Sequence, residues 1–194
     1  MAHDSVPDPL AEETLTSREV WRGSFLRVYE DRVRCPDGHI ATREYLRHPG
    51  AVMTIPLLDD GQVVLEWQYR YPLRASLIEF PAGKIDPGET LLACARRELC
   101  EETGYEAAEW TYLGGFHNAI GYCDEKIEVY LARGLTHVGG ATDAGEVLEV
   151  FTAPWRDLLG WIRTGQATDV KTIVGTYWLE RFLAGEPAPA ARAR

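Results

Sequence analysis

The sequence is short of cysteine, short of positive charge and devoid of any long apolar run, and each shortage narrows what the chain can be. Its four cysteines, Cys35, Cys94, Cys100 and Cys123, form no C-x-x-C pair, so a zinc site or a disulfide framework is not expected and the thiols read as reduced, as in the cytosol. Lys and Arg number 20 against 30 Asp and Glu, a net charge of −10 with a pI near 5.0. Neutralising a nucleic-acid backbone requires a basic surface, so a nucleic-acid partner is disfavoured. No stretch approaches the ~18 apolar residues of a membrane span, and the first twenty residues lack the basic start and apolar core of a secretory signal. There is no internal repeat. A cytoplasmic protein of one domain, with a small appendage at most, is expected from 194 residues.

What is present is an acidic cluster at one end of an apolar, helix-periodic stretch, GKIDPGETLLACARRELCEETGY from Gly83 to Tyr105. Asp86, Pro87 and Glu89 read as the N-cap, first and third positions of a helix beginning at Pro87. Leu91, Leu92, Ala95 and Leu99 recur as its buried stripe, and Gly104 supplies the left-handed stop. Glu98, Glu101 and Glu102 then share one face, their backbone positions within about 6 Å of each other. Two explanations stand side by side: a solvated acidic face, or carboxylates gathered to hold a hard divalent cation, for which magnesium is the best fit.

Taken whole, the stretch is far more specific than its glutamates. Gly83, five residues, Glu89, seven residues, Arg97-Glu98-Leu99, one residue, Glu101-Glu102, one residue, Gly104 and a bulky apolar position resembles the signature of the Nudix hydrolases, and eight of its nine specified positions match outright. The ninth, Tyr105, is aromatic where that family usually carries an aliphatic residue. The likeness extends from about Arg43 to Leu183, and Glu79-Phe80-Pro81-Ala82-Gly83-Lys84 resembles the branch that cleaves ADP-ribose and related nucleoside diphosphate sugars. At the position where that branch often carries proline, sixteen residues beyond Gly104, this chain has Ile120.

The resemblance implies an α/β Nudix fold, a mixed sheet sandwiched between helices, preceded by an antiparallel sheet that pairs two subunits into a homodimer. It implies metal ligation by Glu98, Glu101 and Glu102 with the Ala82 carbonyl, magnesium being replaceable by manganese. The expected catalytic set is Glu101, Arg97 and Glu146, with Asp143 in reserve for Glu146. Arg97 is expected to tie the helix to Glu89, and Glu146 to position or deprotonate water. The substrate implied is a nucleotide sugar, ADP-ribose first, with ADP-glucose or GDP-mannose types next; a module that binds such a ligand without cleaving it is the reading from another class.

Along the rest of the chain, residues 1–16 are polar and read as a flexible lead-in. Residues 17–47 read as a β-sheet subdomain, with strands across 20–33 and 40–46 and a turn at Pro36-Asp37-Gly38. Residues 48–185 form the catalytic domain. Within it, 51–58 and 62–70 read as core strands joined by the hairpin signal Asp59-Asp60-Gly61. The expected substrate-binding set is Arg70, Tyr69 and Glu79. An arginine among aromatics can pair with a diphosphate or snorkel from a strand end, and Glu79 can orient it, meet the substrate or be a strand-edge charge. The 117–126 loop is expected to line the cleft, with His117 and Asp124 as minor candidates. Thr136–Gly145 reads as a mobile loop, and helices follow from Pro154 to Ile162 and from Val170, capped by Asp169, to Ala184. Residues 186–194 are expected to be disordered.

Overall fold

A computed structural model describes residues 8–140, 145 and 147–189. Two compact units arise, one from the chain up to His48 together with Ala119–Glu125, the other from Pro49–Asn118 and the chain from Lys126 onward. Among the described residues no helix is long and apolar enough to cross a membrane, and all four cysteines are free.

The first unit is an antiparallel sheet in the order β1 (Glu13–Arg22), β2 (Arg27–Arg34), β3 (Ile40–Arg47). The β2–β3 turn closes through the Gly38 N–H donating to the Cys35 carbonyl, with Gly38 at φ 86°, a conformation open to glycine. The sheet takes in residues 13–16 as well. Glu13 pairs with Arg34 across the ladder and joins it in an ion pair, while Glu12 is bonded to Arg43, so charge holds the strand start in place. Every residue of β1 is exposed.

The second unit holds two sheets. One is mixed, in the order β7 (Ala82–Lys84), β4 (Ala51–Pro56), β9 (Lys126–His137), β8 (Tyr105–His117), with β4 and β9 parallel; the other is antiparallel, in the order β10 (Leu148–Pro154), β5 (Gln62–Arg70), β6 (Ala75–Glu79). The Asp59-Asp60-Gly61 turn forms as expected, but its flanking strands do not make a hairpin. They share a single bridge, Leu57 to Val63, and then enter different sheets. Pro56 has no N–H to extend the ladder, and β4 is buried at every position, so it needs partners on both edges and finds them in β7 and β9.

Alternation along β4 sorts the layers. Val52 faces helix α1 (Leu91–Thr103) through Cys94 and Ala95, whereas Met53 and Ile55 face helix α3 (Val170–Leu183), which approaches so closely that a Cβ on Gly175 would stand 2.6 Å from Met53 Cε. Helix α2 (Trp155–Thr164) adds Trp155 and Leu158 to the same core, where Leu65, Ile78, Phe80, Leu131 and Leu179 are buried. Each such side chain contributes about 1.5–3 kcal/mol. The buried side of α3 is less apolar than its sequence suggests. Lys171, Thr172, Gly175 and Thr176 go inside with Leu179, while Tyr177 and Leu183 remain exposed. Ala188, beyond α3, packs against the core.

Candidate active site

Helix α1 starts at Leu91, four residues later than the sequence reading places it. Asp86-Pro87-Gly88-Glu89 closes instead as a turn, with the Glu89 N–H donating to the Asp86 carbonyl at 3.0 Å and Gly88 at φ 83°. Proline followed by a glycine of positive φ is the chemistry of a type II turn, and a residue of positive φ cannot continue a right-handed helix. Thr90 takes the cap, its hydroxyl accepting the Ala93 N–H at 3.2 Å. At the other end Gly104, φ 72°, stops the helix as expected. Tyr105, the aromatic departure from the motif, fills its place by setting its ring edge-on to His137, its cross-strand partner, with centroids 5.0 Å apart.

The helix presents its carboxylates around one guanidinium. Arg97 donates Nε and Nη2 to the two oxygens of Glu89, each at 3.0 Å, Nη1 to Glu98 Oε1 at 2.7 Å and to Glu101 Oε2 at 3.0 Å, and Nη2 to the Lys84 carbonyl. The bonds from Arg97 hold the Glu89 carboxyl below its ordinary range, and the Arg97 guanidinium is raised in turn, first by Glu89. Glu102, 5% exposed, accepts the Ala82 N–H at 2.9 Å. The Glu98 carboxylate lies over Gly83 of β7, where a Cβ would meet Oε1 at 1.8 Å. Cys94 packs beneath, its thiol pushed up to about 12 chiefly by burial.

This donor set suits a hard dication: three carboxylates on one helical face, with the Ala82 carbonyl on the adjoining strand. The cradle at Gly83 and the stand-in positive charge of Arg97 point the same way. Among the described residues no three His, Cys, Asp or Glu side chains converge as a ready-made metal cluster, because Glu98 and Glu101 turn onto Arg97 and Glu102 onto the Ala82 amide.

Glu101 and Glu102 open onto a cleft of about 550 Å³, lined also by His137, Leu148, Val150 and Thr152, a size within the roughly 300–1,000 Å³ of small-molecule sites. Leu148 and Val150 are the cross-strand partners of Gln68 and Glu66 on β5, so those two side chains share the cleft side of the sheet with Arg70, two residues further along. Arg70 grips Glu79 with a fork, Nε to Oε1 at 2.7 Å and Nη2 to Oε2 at 2.6 Å. Tyr69, half-exposed, alternates to the other face of β5. Glu79 is fully buried and also takes the Nζ of Lys171. Burial raises its carboxyl, but the bonds from Arg70 and the charges of Lys171 and Arg70 outweigh that and leave it lowered.

Sequence reasoning had singled out Arg70 and Glu79 but passed over Lys171, Glu66 and Gln68. One signal for Lys171 was available: a lysine in the first turn of a helix sits against the dipole and needs an acidic partner. Asp143 and Glu146 lie outside the described residues. His117 ends β8, whereas Asp124 belongs to the first unit, where its carboxylate accepts the His48 N–H.

Carboxylates on one face of a glycine-flanked helix, two of them lining a cleft, are a donor set suited to metal-assisted hydrolysis of phosphate anhydrides. Residues 47–172 match the NUDIX domain and residues 12–46 the nucleoside diphosphate sugar hydrolase N-terminal domain. The chain belongs to the Nudix family, whose members hydrolyse nucleoside diphosphate derivatives and generally need a divalent metal. It is 33% identical over 173 residues to an ADP-ribose pyrophosphatase of Bacillus subtilis (strain 168), covering 88% of this chain and 94% of the relative. It is 34% identical over 171 residues, 87% of this chain and 92% of the relative, to a methanol dehydrogenase activator of Bacillus methanolicus. The crystal structure of an ADP compounds hydrolase superposes with a TM-score of 0.82 over 90% of this chain and 95% of that one, at 24% identity, a likeness of fold.

Proposed function

We propose that this chain hydrolyses the diphosphate bond of ADP-ribose, giving AMP and ribose 5-phosphate, with magnesium as the metal and manganese as its substitute. The observation that carries the reading is the face of Glu98, Glu101 and Glu102, with Glu98 set over Gly83 and Glu101 and Glu102 lining the cleft. Relatives named ADP-ribose pyrophosphatase support the choice of substrate, including one from Mycobacterium tuberculosis that is 41% identical over 128 residues, 66% of this chain and 62% of that one.

Glu98, Glu101, Glu102 and the Ala82 carbonyl would hold the metal, which supplies the positive charge that draws the diphosphate oxygens and acidifies a water. Arg97 clamps Glu89, Glu98 and Glu101 and so orients the set without touching substrate. Arg70, held by Glu79, neutralises phosphate oxygen, and Tyr69 borders it on the strand. Water attacks phosphorus and the bridging P–O bond breaks. The water proton passes to a carboxylate, either Glu101, which lines the cleft with its side chain 40% exposed, or Glu146. The protein acts in the cytoplasm as a homodimer joined through the N-terminal sheet, which leaves Leu15, Val20, Trp21, Phe25 and Ile40 exposed.

The test is a panel of ADP-ribose, ADP-glucose and GDP-mannose incubated with magnesium and followed by phosphatase and phosphate counting. ADP-ribose is expected to give the highest kcat/KM. Release from another sugar nucleotide alone would transfer the assignment to that substrate, and binding without release would make the chain a sensor. Light scattering after size exclusion checks the dimer; a monomer at tens of micromolar would refute it.

A further inference from the structure

Arg70 lies on the cleft side of β5 with part of its charge already spoken for. Two of its five N–H groups are taken by Glu79, and a fork to a carboxylate is a neutral pair that offers little to an incoming anion. Glu66, also fully buried, is the cross-strand partner of Glu79, which adds negative charge beside it. The compensating charge comes from the far end of the chain. Lys171, at the second position of α3 and 8% exposed, puts its Nζ on Glu79 Oε2 and 3.1 Å from Asp169 Oδ2. Asp169 is engaged by the helix end, accepting the Thr172 N–H at 2.9 Å and the Thr172 hydroxyl at 2.7 Å. Lys171 therefore bridges Glu79 and the helix-capping Asp169.

We infer that Lys171 is a positioning residue for the anion subsite: by offsetting the charge of Glu79 it leaves more of the charge of Arg70, which is 39% exposed along its side chain, for a diphosphate. The inference rests on the reading of the cleft as a diphosphate site. Lys171 adds one unit of positive charge to the group formed by Arg70, Glu79 and Glu66, and the outward-facing member is Arg70. Without Lys171 the group is one unit more negative, and Arg70 is the single cation beside two acids. Removing a unit charge about 8 Å from a bound anion, at an effective dielectric of about 20–40, weakens binding by roughly five- to thirtyfold.

Charge and architecture separate cleanly in a set of variants, because the Thr172 hydroxyl, which accepts the Phe80 N–H at 3.0 Å, ties α3 to the strand end independently of Lys171. Calorimetry with inorganic pyrophosphate in the presence of magnesium is the binding probe, alongside KM and kcat for ADP-ribose. Lys171→Met is expected to weaken pyrophosphate by that five- to thirtyfold factor and to raise KM similarly while kcat stays within about threefold, with a flatter dependence on salt. Lys171→Arg retains wild-type binding. The double variant Lys171→Met with Glu79→Gln restores the net charge and recovers most of the lost affinity, and Glu79→Gln alone binds pyrophosphate at least as tightly as wild type. Pyrophosphate affinity unchanged in Lys171→Met, or a double variant weaker than the single one, overturns the inference. Should Lys171→Met fail to fold, Glu79→Gln decides it, since a purely structural network makes that variant bind more weakly. Wild-type protein that shows this charge dependence yet leaves ADP-ribose intact overturns the substrate reading and keeps the inference; ADP-ribose cleavage with an indifferent Lys171→Met does the reverse.

Discussion

Replacing Gly83 with alanine adds one methyl group at the point where β7 meets the catalytic helix. Gly83 has no positive φ, so an L-residue can adopt its backbone, and the nearest obstacle to the methyl is Glu98, with Oε1 at 1.8 Å, Cδ at 1.9 Å and Oε2 at 2.3 Å. To reach even the tight contact distance of 3.0 Å, the carboxylate must retreat by about 1.2 Å. That retreat moves the free end of a flexible side chain, so the expected cost in stability is below about 1 kcal/mol, a midpoint shift of about 2–4 °C at this chain length. Function is far less tolerant, since a displacement near 1 Å in a reacting constellation costs about 10²-fold in rate, and a disturbed metal shell costs about 10–100-fold in metal affinity. Gly83→Ala should therefore melt close to wild type while its ADP-ribose kcat falls about a hundredfold and its half-saturating magnesium rises at least tenfold. Thermal denaturation and a magnesium titration of phosphate release measure the two sides. Wild-type kcat and magnesium dependence would refute the placement of Glu98 at the metal, and a fall in melting temperature beyond 10 °C would refute the claim that only a side-chain tip is displaced.

Glu102→Gln retains an oxygen for the Ala82 N–H, so its far-UV spectrum should be unchanged while turnover drops by about 10²-fold or more; unfolding, or a wild-type rate, would count against the metal role. Thr90→Ala removes the cap of α1 and should cost about 1 kcal/mol in urea unfolding, whereas Asp86→Ala, in the turn before it, should cost less. Because the Glu79 carboxyl is held below its ordinary 4.5, its stabilising contribution is complete above that pH and disappears as pH falls through the lower folded value. Melting temperature followed downward from pH 5 should thus fall less steeply in Glu79→Gln than in wild type, and parallel curves would show that Glu79 is not a source of the acid sensitivity.

Much of the site was legible because it is local. Gly83, Glu89, Arg97 and the three glutamates lie within twenty residues of one another, and helical spacing alone puts the carboxylates together. The start of the helix was misplaced because Asp-Pro satisfies the rules for a cap and its first turn, while Gly88, the residue that forbids continuation, also satisfies the rules for a type II turn. Turn chemistry prevailed, and Thr90 took the cap. The parting of β4 and β5 had a different cause: a hairpin signal specifies the turn, but two strands that each bury both faces compete for partners drawn from the whole chain. Nothing within 51–70 records that β9 and β10 will supply them.

Lys171 and Glu79 are 92 residues apart, and no periodicity links them. The apolar residues of α3 suggested that an oily face would turn inward, yet the helix buries Lys171, Thr172, Gly175 and Thr176. The reason is electrostatic as much as steric. On the proposed reading a chain of net charge −10 must still admit an anionic substrate, and Arg97 and Arg70 divide the labour. Arg97 is saturated by three carboxylates and a carbonyl, which suits it to holding them. Arg70 would be equally spent on Glu79 were it alone, so under the proposal for Lys171 the positive charge available to a diphosphate depends on a second cation sharing that carboxylate, which Lys171, buried in the first turn of α3, supplies.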